Sequence, residues 1–328
     1  MKNIQADIKS GNFKQVYLLY GEEAYLKQQY KQNLVKALNP DGDTMNFNHY
    51  EGKGIDVKQL IDLCETMPFF AERRVVLLED TGFFKNKCEE LADYMKELPD
   101  YLYLVFAEME VDKRNRMYKA VKACGSIAEF IRQDEKTLMR WAAGILGKAG
   151  KKITQRDMEL LLTKTGTDMG NLRMEMEKLI SYTEGRDVVT AEDIEEICTT
   201  QTTNRIFDMV RAVTEKNQKR ALELYYDLLT LKEPPMRILF LLAKQYRQLL
   251  LAKQFAAAGL AQTEIASKLG VPGFVVRNIT TCARAYTISE LEQAVKDFVD
   301  AEESVKTGRL EDKLSVELLI IKYSSKVK

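Results

Sequence analysis

Two hydrophobic patterns divide this chain, and the change from one to the other near residue 137 restricts its architecture more than any single motif. Before it, short apolar runs alternate with helical segments. Val16–Tyr20 ends at Gly21, and Tyr25, Leu26, Tyr30, Leu34, Val35 and Leu38 then recur at helical spacing. That segment stops at the turn signal Asn39-Pro40-Asp41-Gly42. Further strand-like runs lie at 47–50, 74–78, 101–106 and 126–130, and 57–66 has a helical face of Val57, Leu60, Ile61 and Cys64. The longer runs are apolar at almost every position, as strands covered on both faces are. The pattern predicts a mostly parallel α/β sheet over about residues 1–135.

From Thr137 the sequence reads as helix alone, with no strand expected. Leu138, Trp141, Ala142, Ile145 and Leu146 share one helical face, and Thr154 stands where a helix N-cap belongs. Gly170-Asn171-Leu172-Arg173 opens a helix running to Tyr182, and Thr190-Ala191-Glu192-Asp193 has the form of a capping box. Beyond residue 203 the stripes lengthen: Ile206, Phe207, Val210 and Val213, then Ala221, Leu224, Tyr225, Leu228 and Leu229. After the break at Pro234-Pro235, helices are expected at 238–255, 262–269, 272–284, 288–305 and 311–325. Since single cores stop growing near 250–300 residues, a chain of 328 divides. The expected domains are 1–136, a small helical domain at 137–202 and an all-helical domain at 203–328.

Lys+Arg and Asp+Glu both total 49, so the chain lacks the basic excess of a dedicated nucleic-acid binder. The five cysteines are scattered without a CxxC pair, which removes zinc ribbons and redox motifs; buried, reduced thiols are expected. The first residues have no apolar core of a signal peptide, and no apolar run approaches the roughly 20 residues of a membrane helix. A cytoplasmic protein without membrane contact is expected. His49 is the sole histidine, and neither GxSxG nor HExxH occurs. The pairs Glu89-Glu90 and Glu195-Glu196 read as solvated helix faces.

At Gly21-Glu22-Glu23 a strand gives way to a helix, the place where a P-loop would bind phosphate. The motif's second glycine, lysine and hydroxyl are all missing, and two carboxylates stand where they would repel a nucleotide. An ordinary strand-helix corner and a degenerate phosphate loop both fit. Either predicts no nucleotide, no metal or other cofactor, and no catalytic residue.

Met67-Pro68-Phe69-Phe70-Ala71 separates a helix from a strand, and Pro68 forces a turn there. Adjacent aromatics at a turn do not easily share one buried face. They either tuck under the sheet as a local staple or form a plug for a partner protein.

Taken together, the chain resembles the delta-subunit family of the DNA polymerase III clamp loader. Val16-Tyr17-Leu18-Leu19-Tyr20-Gly21-Glu22-Glu23 is similar to the family's opening strand and degenerate phosphate loop. Met67-Pro68-Phe69-Phe70-Ala71-Glu72-Arg73 resembles its clamp-binding segment, with Phe69 and Phe70 in the positions that enter a clamp pocket. Residues 75–80 match the place of a Walker B strand, Arg173 that of sensor 2, and Val305-Lys306-Thr307-Gly308 the tail of the collar. The resemblance implies a RecA-like AAA+ domain with a parallel sheet, then a helical lid and a helical collar. It implies a non-catalytic subunit of the replicative holoenzyme that binds and opens the sliding clamp (beta) for loading onto primed DNA, without hydrolysing ATP. Met67, Pro68, Phe69 and Phe70 would contact the clamp. The partners would be the ATPase subunits and delta-prime in a hetero-pentamer, with DNA reached through the complex. Arg173 would be a relic or a structural residue.

Two alternatives stay open on the residues, an ATPase with an unusual phosphate loop and a DNA-binding regulator. The segment 263–272 followed by Val275-Val276-Arg277 has the outline of a helix-turn-helix regulator, although its second helix offers only Arg277 and Arg284 beside Phe274, Val275, Val276 and Ile279.

Overall fold

Alternation along a strand sends successive side chains to opposite faces, and in the N-terminal part of this chain both faces are dry. The computed structural model describes residues 2–199 and 202–325, in two units, Met1–Gln133 and Asp134–Lys328. The first contains α1 (Lys2–Ser10), β1 (Val16–Tyr20), α2 (Ala24–Leu38), β2 (Phe47–Glu51) and α3 (Val57–Glu65). It continues through β3 (Arg74–Glu79), α4 (Glu89–Tyr94), β4 (Leu102–Glu108), α5 (Arg116–Cys124) and β5 (Ser126–Glu129). The strands form one sheet in the order β2-β3-β4-β1-β5, every pair parallel, as in a RecA-like domain.

Val16, Leu18, Val76, Leu78, Leu104 and Phe106 pack with Leu60, Leu91, Met117 and Val121 of α3, α4 and α5. Tyr17, Leu19, Val75, Leu77 and Val105 face the other way, against Ile4, Leu34 and Leu38 of α1 and α2. This double cover explains the unbroken apolar runs. Helix α1 was not expected, because Ile4 and Ile8 are the only large apolar residues in its nine-residue span.

The second unit comprises α6 (Glu135–Lys148), β6 (Lys152–Ile153), α7 (Gln155–Thr165), α8 (Met169–Tyr182), β7 (Val188–Val189) and α9 (Ala191–Ile197). Then follow α10 (Thr202–Thr214), α11 (Gln218–Thr230), α12 (Pro235–Ala257) and α13 (Gln262–Leu269). The last helices are α14 (Gly273–Ala283), α15 (Ile288–Lys306) and α16 (Asp312–Ser324). Thr154 and Thr190 cap α7 and α9, Thr190 in a complete capping box. Pro235 takes the first position of α12, where its missing N–H costs nothing. The expectation of no strand after 137 fails in one place: β6 and β7 form a short parallel ladder, Lys152 opposite Val188 and Ile153 opposite Val189. Two residues per strand carry no readable alternation.

Helices α10 to α16 close around Met209, Val210, Tyr225, Tyr246, Phe298 and Ile320. Ile265, Val276 and Ile279 of α13 and α14 are buried in that core, and Arg277 lies 3.4 Å from Glu159. The Phe274 side chain lies outside the described residues. These helices are bundle elements in their packing. Helix α16 is apolar on two sides: Val316, Leu319 and Ile320 face inward, while Leu314, Leu318 and Ile321 are exposed.

Among the described residues, no helix is long and apolar enough to cross a membrane. All five cysteines are free; Cys64, Cys88, Cys198 and Cys282 are buried, but Cys124, at the end of α5, is exposed against expectation. Burial pushes the Cys64 and Cys198 thiols up to about 12, so these two stay protonated at neutral pH.

Candidate functional site

Because all strands run the same way, the N-terminal ends of β2 and β3 meet at one edge of the sheet and the C-terminal ends of β1, β3 and β4 at the other. The two segments singled out in the sequence fall at these opposite edges.

The apolar segment leads into β3. Helix α3, begun by Asp56 accepting from the Lys58 and Gln59 amides, stops at Thr66, and Pro68 keeps it from continuing. The chain then projects outward. Met67 is 75% exposed, Phe69 55% and Phe70 95%, with Pro68 half-buried between them. The two rings meet edge to face at 4.4 Å. Phe70 sits at φ +50°, a left-handed conformation that a bulky residue adopts only under constraint, at a cost of roughly 1–3 kcal/mol.

The constraint comes from two buried side chains that the sequence reading passed over. Asn46, just before β2, accepts from the Phe69 amide at 2.6 Å and donates to the Phe69 carbonyl at 2.8 Å. Arg74, the first residue of β3, donates from Nε to the Thr66 carbonyl (2.8 Å) and from Nη2 to the Met67 carbonyl (3.2 Å). Its Nη1 also reaches Asn48 at 3.2 Å. Arg73 is held across the Phe13 and Tyr103 rings, 5.2 and 5.5 Å from their centres. A charged residue opening an apolar strand was the available signal for Arg74; Asn46 gave none. The result is an exposed apolar hook on a fixed backbone.

At the opposite edge, the corner at Gly21 is filled from within the chain. Gly21 has φ +127°, and a Cβ there would lie 2.2 Å from the Phe130 carbonyl oxygen, so only glycine fits. Phe130 donates its amide to Tyr20 (2.7 Å) and accepts from the Glu23 amide (3.0 Å), while the Ala24 amide bonds Glu22. Two backbone N–H groups of the turn, those of Glu23 and Ala24, are thus spent on protein carbonyls. Glu22 projects to solvent and Glu23 is buried.

Helix α2 supplies two lysines to the same corner. Lys27 donates to the carbonyls of Glu108 (2.8 Å) and Gly21 (3.3 Å), and burial holds its amine below the usual lysine range. Lys31 meets Glu79 at 2.5 Å, and Glu79 also meets His49 at 2.9 Å. His49, which the sequence left without a partner, therefore has one carboxylate, but no third group makes a triad. Asp80 follows at φ +49°, and the Glu108 carboxylate accepts from the Thr81 amide (3.1 Å) and hydroxyl (2.6 Å). Burial raises the Glu108 carboxyl above its ordinary value. Arg173 is far along the chain in α8 and pairs with Glu177 at 2.8 Å. No cluster of three or more metal-ligating side chains occurs among the described residues.

The Glu79 pair is mostly buried, with 11% and 18% of the Lys31 and Glu79 side chains exposed. Removing one partner leaves a desolvated charge. Glu79→Ala is expected to destabilise the chain by roughly 3 kcal/mol, measured by urea unfolding; a change below about 1 kcal/mol, the range of exposed pairs, would show the pair to be structurally idle.

Comparison with known proteins bears on both segments. A family model described as DNA polymerase III, delta subunit, matches residues 17–130, and one described as DNA polymerase III delta subunit, C-terminal domain, matches residues 203–323. The DNA polymerase III subunit delta of Bacillus subtilis (strain 168) is 26% identical over 332 residues, covering 97% of this chain and 95% of that protein. The probable DNA polymerase III subunit delta of Aquifex aeolicus (strain VF5) is 22% identical over 270 residues, covering 78% and 75%. The solved structure of the Bacillus subtilis DNA clamp loader delta protein matches with a TM-score of 0.67 at 24% identity, covering 99% of both chains. At that identity the likeness shows a shared fold.

Proposed function

Since the chain belongs to the DNA polymerase III delta-subunit family, we propose that it is the clamp-opening, non-hydrolysing subunit of a clamp loader. The observation that carries this reading is the hook: Met67, Phe69 and Phe70 are exposed on a backbone fixed by Asn46 and Arg74. Large apolar side chains held out to water on a strained, hydrogen-bonded turn contribute little to the packing of the free chain. They suit an apolar pocket on a sliding clamp, beside one of its ring interfaces. Seating there favours the clamp conformation whose interface is loosened, because a binder shifts an equilibrium by its differential affinity for the two states. No bond is made or broken.

In this reading residues 137–202 form the lid and 203–328 the collar, which joins the ATPase subunits and delta-prime in a five-membered ring. The exposed stripe of Leu314, Leu318 and Ile321 on α16 supports a role for the collar in assembly. Primed DNA is reached through the complex, and the protein acts in the cytoplasm. Clamp capture by the purified chain, read by surface plasmon resonance, tests the central claim; a chain that retains no clamp at micromolar concentration overturns it.

The filled corner supports the second half of the proposal. Lys27 and Lys31 are already engaged by carbonyl and carboxylate oxygens there, and the Glu23 and Ala24 amides have protein acceptors. Titration calorimetry of the isolated chain with ATP and magnesium is expected to show no heat of binding. A micromolar, magnesium-dependent isotherm would return the corner to the class of working nucleotide sites.

A further inference from the structure

We infer that the loop between α2 and β2, residues 39–46, is the second half of the hook, in which Asn46 positions the Phe69–Phe70 backbone and Met45 adds a further apolar contact to the same partner. This deepens the clamp-binding reading and rests on it.

The loop is built as a relay of side chains bonded to backbone. The Asn39 amide brackets Asp43, donating to its carbonyl at 2.9 Å and accepting from its N–H at 3.0 Å. The Asp43 carboxylate accepts from the Met45 amide at 2.7 Å and from Asn46 Nδ2 at 2.5 Å. The Asn46 bond and then the Met45 bond hold the Asp43 carboxyl below its ordinary range, so it is an acceptor at neutral pH. Asn46 then brackets Phe69 as Asn39 brackets Asp43. Its carbonyl accepts from Val75 at 2.9 Å, which docks the relay to β3. Both amide hydrogens and the side-chain oxygen of Asn46 are used, and the residue is buried.

This bonding brings two loops together at one edge of the sheet. Met45 lies directly before the buried Asn46, yet is 64% exposed. It joins Met67, Phe69 and Phe70 as a large apolar side chain presented to solvent. A cavity of about 550 Å³ opens where the loops adjoin, with Leu38, Asp43, Asn46 and Phe70 among its walls. A partner that takes the Phe70 ring therefore also meets the 39–46 loop. Asn46 is buried and acts through Phe69.

The test uses the full chain, the sliding clamp of the same organism and surface plasmon resonance. Met45→Glu, at an exposed position, is expected to leave the melting temperature unchanged and weaken clamp binding about tenfold, as loss of a contact at the edge of an apolar anchor does. Asn46→Ala is expected to weaken binding about tenfold through slower association, because a smaller fraction of chains holds the hook in its binding geometry. In a Phe69→Ala, Phe70→Ala background Asn46→Ala should add nothing further. Wild-type binding by Met45→Glu, or a full effect of Asn46→Ala without the phenylalanines, overturns the inference while leaving the hook itself intact. Failure of the wild-type chain to bind the clamp removes the underlying reading, and the inference with it.

Discussion

Replacing Phe69 and Phe70 together by alanine should weaken binding to the sliding clamp about a hundredfold without unfolding the chain. Fully burying one phenylalanine is worth roughly 1.5–3 kcal/mol. Phe70 has almost all of that still to gain, being 95% exposed, and Phe69 about half, being 55% exposed. The pair therefore offers roughly 2–4.5 kcal/mol of apolar anchoring. Little of this is repaid as folding stability, because that remaining area faces solvent in the free chain. Thermal melting and circular dichroism should leave the double variant indistinguishable from wild type, while plasmon resonance shows the loss. A sharper companion is Phe70→Gly. At φ +50° glycine carries no steric penalty, so the melting temperature should rise, by an amount equivalent to about 1 kcal/mol, as the ring's contribution to binding disappears. Stability and binding moving in opposite directions at one residue would mark the strain as belonging to function. A double variant that unfolds would place the pair in the core instead, and one that binds as before would place the hook elsewhere.

Introducing glutamate at Leu314, Leu318 and Ile321 should abolish incorporation into the loader while sparing capture of the clamp. The three residues lie four and three apart on α16, so they share one helical face, and that face is exposed. Covering the remaining area of three aliphatic side chains is worth roughly 3 kcal/mol, and three carboxylates in its place add a desolvation cost. Assembly affinity should fall by at least about a hundredfold. The opposite face, Val316, Leu319 and Ile320, remains to hold the bundle, so the helix content should not change. Size-exclusion chromatography with the ATPase subunits and delta-prime, and separately with the clamp, distinguishes the two activities. Full-size loader containing the triple variant would exclude this face from the assembly.

Much of the fold was legible because its signals are local. The longer sheet strands announced themselves by unbroken apolar runs, and Thr154 and Thr190 by their place ahead of helical stripes. The hook was visible as a proline and two aromatics at a turn, and the corner as a glycine without its lysine. What escaped was held by contacts distant in sequence. Asn46 meets Phe69 across 23 positions and Lys31 meets Glu79 across 48, and neither pairing leaves a trace in periodicity. Lys27 and Lys31 lie off the apolar stripe of α2, and nothing local marks that they turn inward to carbonyls and a carboxylate. The β6–β7 ladder was too short to alternate and α1 too polar to show a stripe, while Cys124 is exposed at the last residue of α5 although it falls on the helical face of the buried Met117 and Val121.

The place of β2 in the sheet has a consequence for when the hook can exist at all. Strand β2 is an edge strand, paired only with β3, with Phe47 opposite Val75. Asn46 reaches Phe69 only in that alignment. A slip of one residue would carry Asn46 about 3.3 Å along the strand and turn its side chain to the other face. The edge strand thus serves as a gauge: a chain whose last strand has frayed or mispaired still displays two phenylalanines, but in no fixed geometry. If the hook is the clamp contact proposed above, competence to bind is tied to completion of folding, and a half-made molecule would offer the clamp only a disordered, low-affinity imitation of it.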